Sequence, residues 1–180
     1  MISIPDSGNR AALGYAEASG IPYEIGMTRN HYVGRTFIQP HQSIRDFNVK
    51  VKLNPVKTTL EGKRVIVVDD SIVRGTTAKK RVSAIRLAGA KEVHLRICAP
   101  PIVSPCHFGV DMATKDELLA ANMSVDQIKE FIGADSLGYL SQEGLLRSVK
   151  GEKGKYCMGC FTGKYPIPVQ LEMDKLMLEA

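Results

Sequence analysis

Val65-Ile66-Val67-Val68 sets four β-branched residues in succession, with no polar side chain to turn toward water. Branching at Cβ suits an extended, pleated backbone. A strand with no polar alternate needs cover on both faces, which is the situation of a central strand in a parallel sheet. Two carboxylates, Asp69 and Asp70, follow at its carboxyl end, where open α/β sheets bind their ligands. The next residues, Ser71-Ile72-Val73-Arg74-Gly75-Thr76-Thr77, form a turn rich in small and hydroxyl-bearing side chains. Gly75 permits a tight path, and free amides at a helix start favour an anion. The hydroxyls of Ser71, Thr76 and Thr77 add donors, so the loop suits a terminal phosphate. The carboxylates cannot hold that phosphate; a sugar diol and a Mg²⁺ shell fit them better. A blander alternative makes Asp69 and the hydroxyl residues plain caps. That would suffice for a lone Asp-Ser, but it leaves the paired aspartates before Gly-Thr-Thr without a reason.

The rest of the chain alternates between the two periods. Ile2-Ser3-Ile4 reads as a short strand ending at Pro5-Asp6-Ser7-Gly8. A helical stretch through Ala12, Leu13, Tyr15 and Ala16 stops at Gly20-Ile21-Pro22, and Tyr23 to Met27 reads as a second strand. Ala78, Val82, Ile85 and Ala88 recur at helical spacing from Thr76 to Ala88, with Gly89 as terminator. Val93 to Cys98 reads as a strand broken by Pro100-Pro101. Thr114-x-x-Glu117 and Ser124-x-x-Gln127 both match capping boxes. Leu137 to Leu140 reads as a last strand, and Ser141 as the cap of a final helix to about Lys150. Alternating strands and helices predict an α/β fold, a parallel sheet flanked by helices on both faces. Residues 29–58 are polar and basic, interrupted by Gly34, Pro40 and Pro55, and show no sustained period, as a functional loop would. Residues 1–150 read as the domain, and 151–180 as an irregular tail.

With 180 residues the chain is long enough for one domain with a real core. Its net charge of +5 is spread along the sequence, which favours a small phosphate-bearing substrate over nucleic acid. No apolar run reaches the ~20 residues needed to cross a bilayer, and MISIPDSG lacks the pattern of a signal peptide. A cytoplasmic protein is expected. Disulfides are then unfavoured for the four cysteines, Cys98, Cys106, Cys157 and Cys160. The C-x-x-C of the last pair suits a metal, a cluster or a redox pair.

VIVVDDSIVRGTT resembles the phosphoribosylpyrophosphate (PRPP) loop of type I phosphoribosyltransferases. PDSGNRAALGYAEASGIPYEIGMTRNHYVGRTFIQP and CFTGKYP narrow the resemblance to the glutamine PRPP amidotransferases, over Ile2 to about Pro168. The resemblance implies a type I phosphoribosyltransferase fold. It places Asp69 and Asp70 on the ribose hydroxyls and Mg²⁺, and Ser71, Arg74, Gly75, Thr76 and Thr77 around the 5′-phosphate. Asp6, Ser7 and Gly8 correspond to the pyrophosphate loop, with Ser7 at a magnesium position. Arg29, Tyr32, Arg35 and Lys52 fall in the catalytic loop that closes over PRPP. The implied reaction is displacement of pyrophosphate from C1 of PRPP by ammonia, giving 5-phosphoribosylamine, the entry to purine synthesis. Also implied are purine nucleotides as inhibitors and a homo-oligomer.

Some members carry a [4Fe-4S] cluster, whose ligands the resemblance places at Cys106, Cys157 and Cys160. The fourth family cysteine lies upstream of the first strand and has no counterpart here, so the ligand set is incomplete. Cys98, inside a predicted strand, reads as a buried structural thiol. The N-terminal glutaminase domain of the family likewise has no counterpart, so the chain reads as the phosphoribosyltransferase portion. The alternatives are a phosphoribosyltransferase that adds a nucleobase, a PRPP- or nucleotide-sensing regulatory protein, and a redox or metal module built on the C-x-x-C.

Overall fold

The computed structural model describes residues 1–30, 53–111, 114–149 and 154–168. Tyr32, Arg35 and Lys52 lie outside the described residues, as do 151–153 and 169–180 of the tail. Along the described chain the elements are β1 (Ile2–Ser3), α1 (Asn9–Ser19), β2 (Met27–Arg29), β3 (Leu53–Pro55), α2 (Lys57–Leu60), β4 (Arg64–Asp69), α3 (Thr76–Leu87), β5 (Glu92–Ile97), a 3-10 turn (Lys115–Glu117), α4 (Leu119–Asn122), α5 (Val125–Ile132), β6 (Ser136–Tyr139), α6 (Gln142–Ser148) and α7 (Gly159–Thr162).

The apolar run becomes β4, with β1 and β5 as its hydrogen-bonded neighbours. The sheet has the order β1-β4-β5-β6 and all three pairings are parallel. Register aligns Ile2 with Val67, Val67 with Leu95, and Leu95 with Leu137. Because side chains alternate across a strand, Val65, Val67, Val93, Leu95 and Ile97 share one face. They form the main core with Val82 and Ile85 of α3 and Ile128 and Ile132 of α5. Ser3 and Val68 turn to the other face, where the Ser3 hydroxyl donates to Asn9 Oδ1 of α1 at 2.6 Å. The parallel sheet flanked by helices is therefore as the alternating pattern predicts. Among the described residues no helix is long and apolar enough to cross a membrane.

The capping signals are realised. Ser124 accepts from the Gln127 amide at 3.3 Å while Gln127 Oε1 accepts from the Ser124 amide at 2.8 Å, and Ser141 caps α6 through the Gly144 amide. Three expectations shift. The second strand starts at Met27, not Tyr23: residues before it meet β1 through the Glu24 amide and Met1 carbonyl, and Ile25 is exposed. The segment expected to lack structure has order at its end, where β3 pairs antiparallel with β2 and α2 follows. Pro55 is tolerated there because this separate ladder has only two strands and leaves an open edge. Cys98 lies one residue past the end of β5, its amide donating to the Asp69 carbonyl at 3.0 Å.

Ile85 is fully buried at the centre of the α3–sheet contact. Ile85→Ala is expected to lower unfolding free energy by about 2–5 kcal/mol, read as a fall in the urea midpoint at unchanged slope. A loss below about 1 kcal/mol would contradict this packing.

Candidate functional site

All three pairings of the main sheet being parallel, the carboxyl ends of β1 and β4 open at the same edge. A cleft of about 620 Å³ lies there, a size suited to a small ligand. Its walls bring together Asp69, Asp70, Ser71, Arg74, Gly75, Thr76 and Thr77, every residue the sequence placed in the phosphate loop and its aspartate pair. Ile72 of this loop is 4% exposed and ties it to the main core, while the Val73 carbonyl accepts from the Leu119 amide at 3.0 Å. The loop is thus held from both sides.

At the start of α3, Gly75 adopts a left-handed φ of 69° and caps the helix with no side-chain hydrogen bond. The first amides of a helix have no partner within it. Left uncapped, they and the positive end of the helix dipole face the cleft. A Cβ on Gly75 would also stand 2.2 Å from Leu119 Cδ1, so the turn and the close approach both call for glycine.

The two aspartates differ sharply. Asp70 is exposed, and its Oδ1 accepts from the Ser71 amide at 2.6 Å. Asp69 is 2% exposed. Its Oδ1 accepts from the Asp70 amide at 3.0 Å, and its Oδ2 is ion-paired with Nη1 of Arg81 on α3. Burial pushes the Asp69 carboxyl up to about 6, against the opposing pull of the Arg81 guanidinium. Cys98 is half-buried close by; burial, then the charges of Asp69 and Asp70, raise its thiol.

The remaining site residues sit around this centre. The Pro5–Gly8 turn closes on the same sheet edge, for a Cβ on Gly8 would lie 2.4 Å from the Val68 carbonyl oxygen. The Pro5–Asp6 peptide is cis. Asp6 pairs with Arg29 at 2.5 Å, so those two expected residues meet each other, although neither they nor Ser7 and Gly8 line the cleft. Arg74 pairs at 2.9 Å with Glu117, which also accepts from the Thr114 amide; the Arg74 bond holds the Glu117 carboxyl below its ordinary range. Beyond residues 69–77, five lining residues were not anticipated as part of a site: Ala78, Arg81, Ile102, Val110 and Asp111. For Arg81 a signal existed, since it falls between Ala78 and Val82 on the buried side of α3.

Mg²⁺ is bound through one or two carboxylates together with substrate phosphates and waters. The exposed Asp70 carboxylate beside an anion loop fits that mode, whereas both Asp69 oxygens are engaged within the fold. The cysteines fit a cluster less well. The loop carrying Cys106 and helix α7 dock together, the amides of Val103 and Ser104 donating to the Cys160 carbonyl and the Tyr165 hydroxyl to the Pro105 carbonyl. Burial, then the nearby Cys106 and Cys157, raise the Cys160 thiol, so the three share a neighbourhood. Yet among the described residues no three Cys, His, Asp or Glu side chains converge as a metal-binding group.

The raised Asp69 carboxyl has a definite sign in stability. The folded chain keeps this proton to about pH 6, whereas the unfolded chain gives it up near the ordinary 3.8. The contribution therefore favours folding at low pH and is lost as pH rises from about 4 to about 6. Urea unfolding across that window is expected to show wild type losing stability relative to Asp69→Asn; parallel curves would refute it.

No family model matches the chain. Among curated relatives it is 52% identical over 181 residues to the amidophosphoribosyltransferase of Synechococcus elongatus, covering 99% of this chain and 37% of that protein. It is 58% identical over 169 residues to the amidophosphoribosyltransferase of Methanocaldococcus jannaschii, covering 94% and 36%. In backbone it matches the glutamine PRPP amidotransferase from B. subtilis complexed with ADP and GMP, with a TM-score of 0.83 and 51% identity over 96% of this chain and 39% of that one. The chain thus spans about a third of the length of the curated relatives it matches. Along nearly its whole length, in both sequence and backbone, the chain is thus similar to one portion of amidophosphoribosyltransferases.

Proposed function

We propose that the chain carries the PRPP site of an amidophosphoribosyltransferase, where ammonia, normally released from glutamine, displaces pyrophosphate from C1 of PRPP to give 5-phosphoribosylamine. The observation that carries this reading is the cleft whose walls include both a helix start without a side-chain cap and an exposed carboxylate. The names of the relatives support it.

The uncapped amides of α3, with the hydroxyls of Ser71, Thr76 and Thr77, receive the 5′-phosphate. Asp70 accepts hydrogen bonds from the ribose diol, as the carboxylate free to do so. When bound with the substrate, Mg²⁺ supplies positive charge to the diphosphate; Asp70 and Ser7 are the residues proposed to face it. Holding both ends of the sugar fixes C1 for attack. The C1–O bond breaks with its electron pair leaving on pyrophosphate. The nitrogen of ammonia supplies the pair of the new C1–N bond and sheds one proton. Arg29, from its place beside Asp6, and Arg35, Lys52 and Tyr32 of the intervening segment are assigned to the leaving diphosphate and to excluding water.

Purine nucleotides are proposed to occupy the same cleft through their ribose 5-phosphate, in keeping with the ADP and GMP bound by the B. subtilis relative. A cytoplasmic location, a homo-oligomer, and a domain at 1–150 with a tail at 151–180 belong to this same reading.

The test is pyrophosphate release from Mg²⁺–PRPP, with ammonium and separately with each nucleobase. Turnover with ammonium, reduced on the order of 100-fold by Asp70→Asn, is expected. Turnover with a nucleobase alone would assign salvage chemistry instead, and nucleotide binding without any turnover would assign a sensor.

A further inference from the structure

We propose that Arg81 is a positioning residue: by clamping the buried Asp69, it holds the Asp70 peptide so that the Asp70 carboxylate is presented to the sugar and metal. The inference rests on the PRPP reading of the cleft and adds a residue to it. Its basis is a chain of contacts. Arg81 Nη1 donates to Asp69 Oδ2, and Asp69 Oδ1 accepts from the Asp70 amide at 3.0 Å. Asp70 Oδ1 in turn accepts from the Ser71 amide at 2.6 Å and the Ser71 hydroxyl at 3.4 Å. A guanidinium on α3 is thereby linked through two aspartates to the first residue of the phosphate loop.

Packing requires a cation there. Beneath the pair lie Ile4, Val67, Val82, Ile85 and Leu95, an apolar floor that offers a carboxylate no hydrogen bond. An unpaired charge on that floor would be strongly unfavourable. Arg81 reaches it from the middle of a helix whose neighbouring inward residues are Ala78, Val82 and Ile85. Its Nε is buried without a hydrogen-bond partner among the described residues, so the guanidinium is held there through Nη1 and Asp69. Position 81 also lines the main cleft, close enough for direct ligand contact to be the competing role.

The experiment separates those roles using two probes on the 180-residue chain: calorimetric titration with Mg²⁺–PRPP, which engages Asp70, and with inorganic phosphate, which engages only the helix start. Arg81→Met is expected to weaken Mg²⁺–PRPP by about 10–100-fold, the usual effect of losing a supporting partner. Phosphate affinity is expected to stay within about threefold, and Arg81→Lys to recover part of the loss. Wild type that binds Mg²⁺–PRPP no better than Arg81→Met overturns the inference alone. Wild type that binds neither probe overturns the PRPP reading and the inference with it. Equal loss of both probes in Arg81→Met also overturns the inference, because the loop itself has then collapsed.

A second background covers an Arg81→Met chain that fails to fold with Asp69 unpaired. Asp69→Asn keeps an acceptor for the Asp70 amide and needs no counter-charge. In that background Arg81→Met is expected to change Mg²⁺–PRPP affinity by less than about twofold, because the route through the carboxylate is gone. The same loss in both backgrounds would overturn the inference, since Arg81 would then be touching the ligand directly.

Discussion

A carboxylate buried at the end of an apolar strand must be paired, and the rest of the site is arranged around how Asp69 meets that requirement. β4 is covered on both faces, by α1 on one and by α3 and α5 on the other, and the cover extends over its last residue. Asp69 consequently sits in the core side of the sheet with Arg81 as counter-charge and the next peptide as hydrogen-bond donor. The ion pair joins α3 to β4 at the very point where the phosphate loop leaves the sheet. Burial acting against Arg81 leaves the carboxyl raised, as expected where desolvation exceeds a single favourable pairing.

The loop itself is fixed by packing rather than by its polar residues. Ile72 enters the main core, and Val73 reaches a second cluster made by Ile102, Leu118 and Phe161. With these two anchored, Thr76 and Thr77 at the cleft wall can offer their hydroxyls to a ligand, while Ser71 also bonds the Asp70 carboxylate. The same second cluster includes Cys160, so the tail contributes to the support of the phosphate loop through apolar contact. That contact gives residues 154–168 a structural role independent of any metal.

Much of this was legible because a few residues combine several signals. The β4–α3 unit joins a β-branched run, a glycine turn and a helical period, and each agrees with the others. The paired strands and capped helices after it were readable on the same grounds. What escaped lacked local signals. Leu53–Pro55 is three residues long and contains a proline, and only pairing with Met27–Arg29 makes it a strand. Tyr23 to Ile25 has a β-like composition but only one backbone bond toward β1, so composition misled there. Ile102, Val110 and Asp111 reach the cleft from a stretch after Pro100-Pro101 that has no period to read. Arg81 had a positional signal in falling between Ala78 and Val82, but an arginine next to two lysines reads as solvated surface until the strand beneath it is known to end in a carboxylate.

The opposite environments of Asp69 and Asp70 follow from strand geometry. Successive side chains on a strand point to opposite faces, so adjacent aspartates at a strand end meet the cleft they both line from different depths. The first must follow the alternation of Val65 and Val67 toward α3. The second, beyond the last paired residue, is released from the sheet and becomes exposed. Two adjacent carboxylates therefore make one buried anchor and one free ligand group. If the second were spaced two residues further along a continuing strand, both would face the core and each would need its own counter-charge. Adjacency at the strand end gives a fixed base and a reaching group from a single turn of backbone, and α3 has to supply only one arginine.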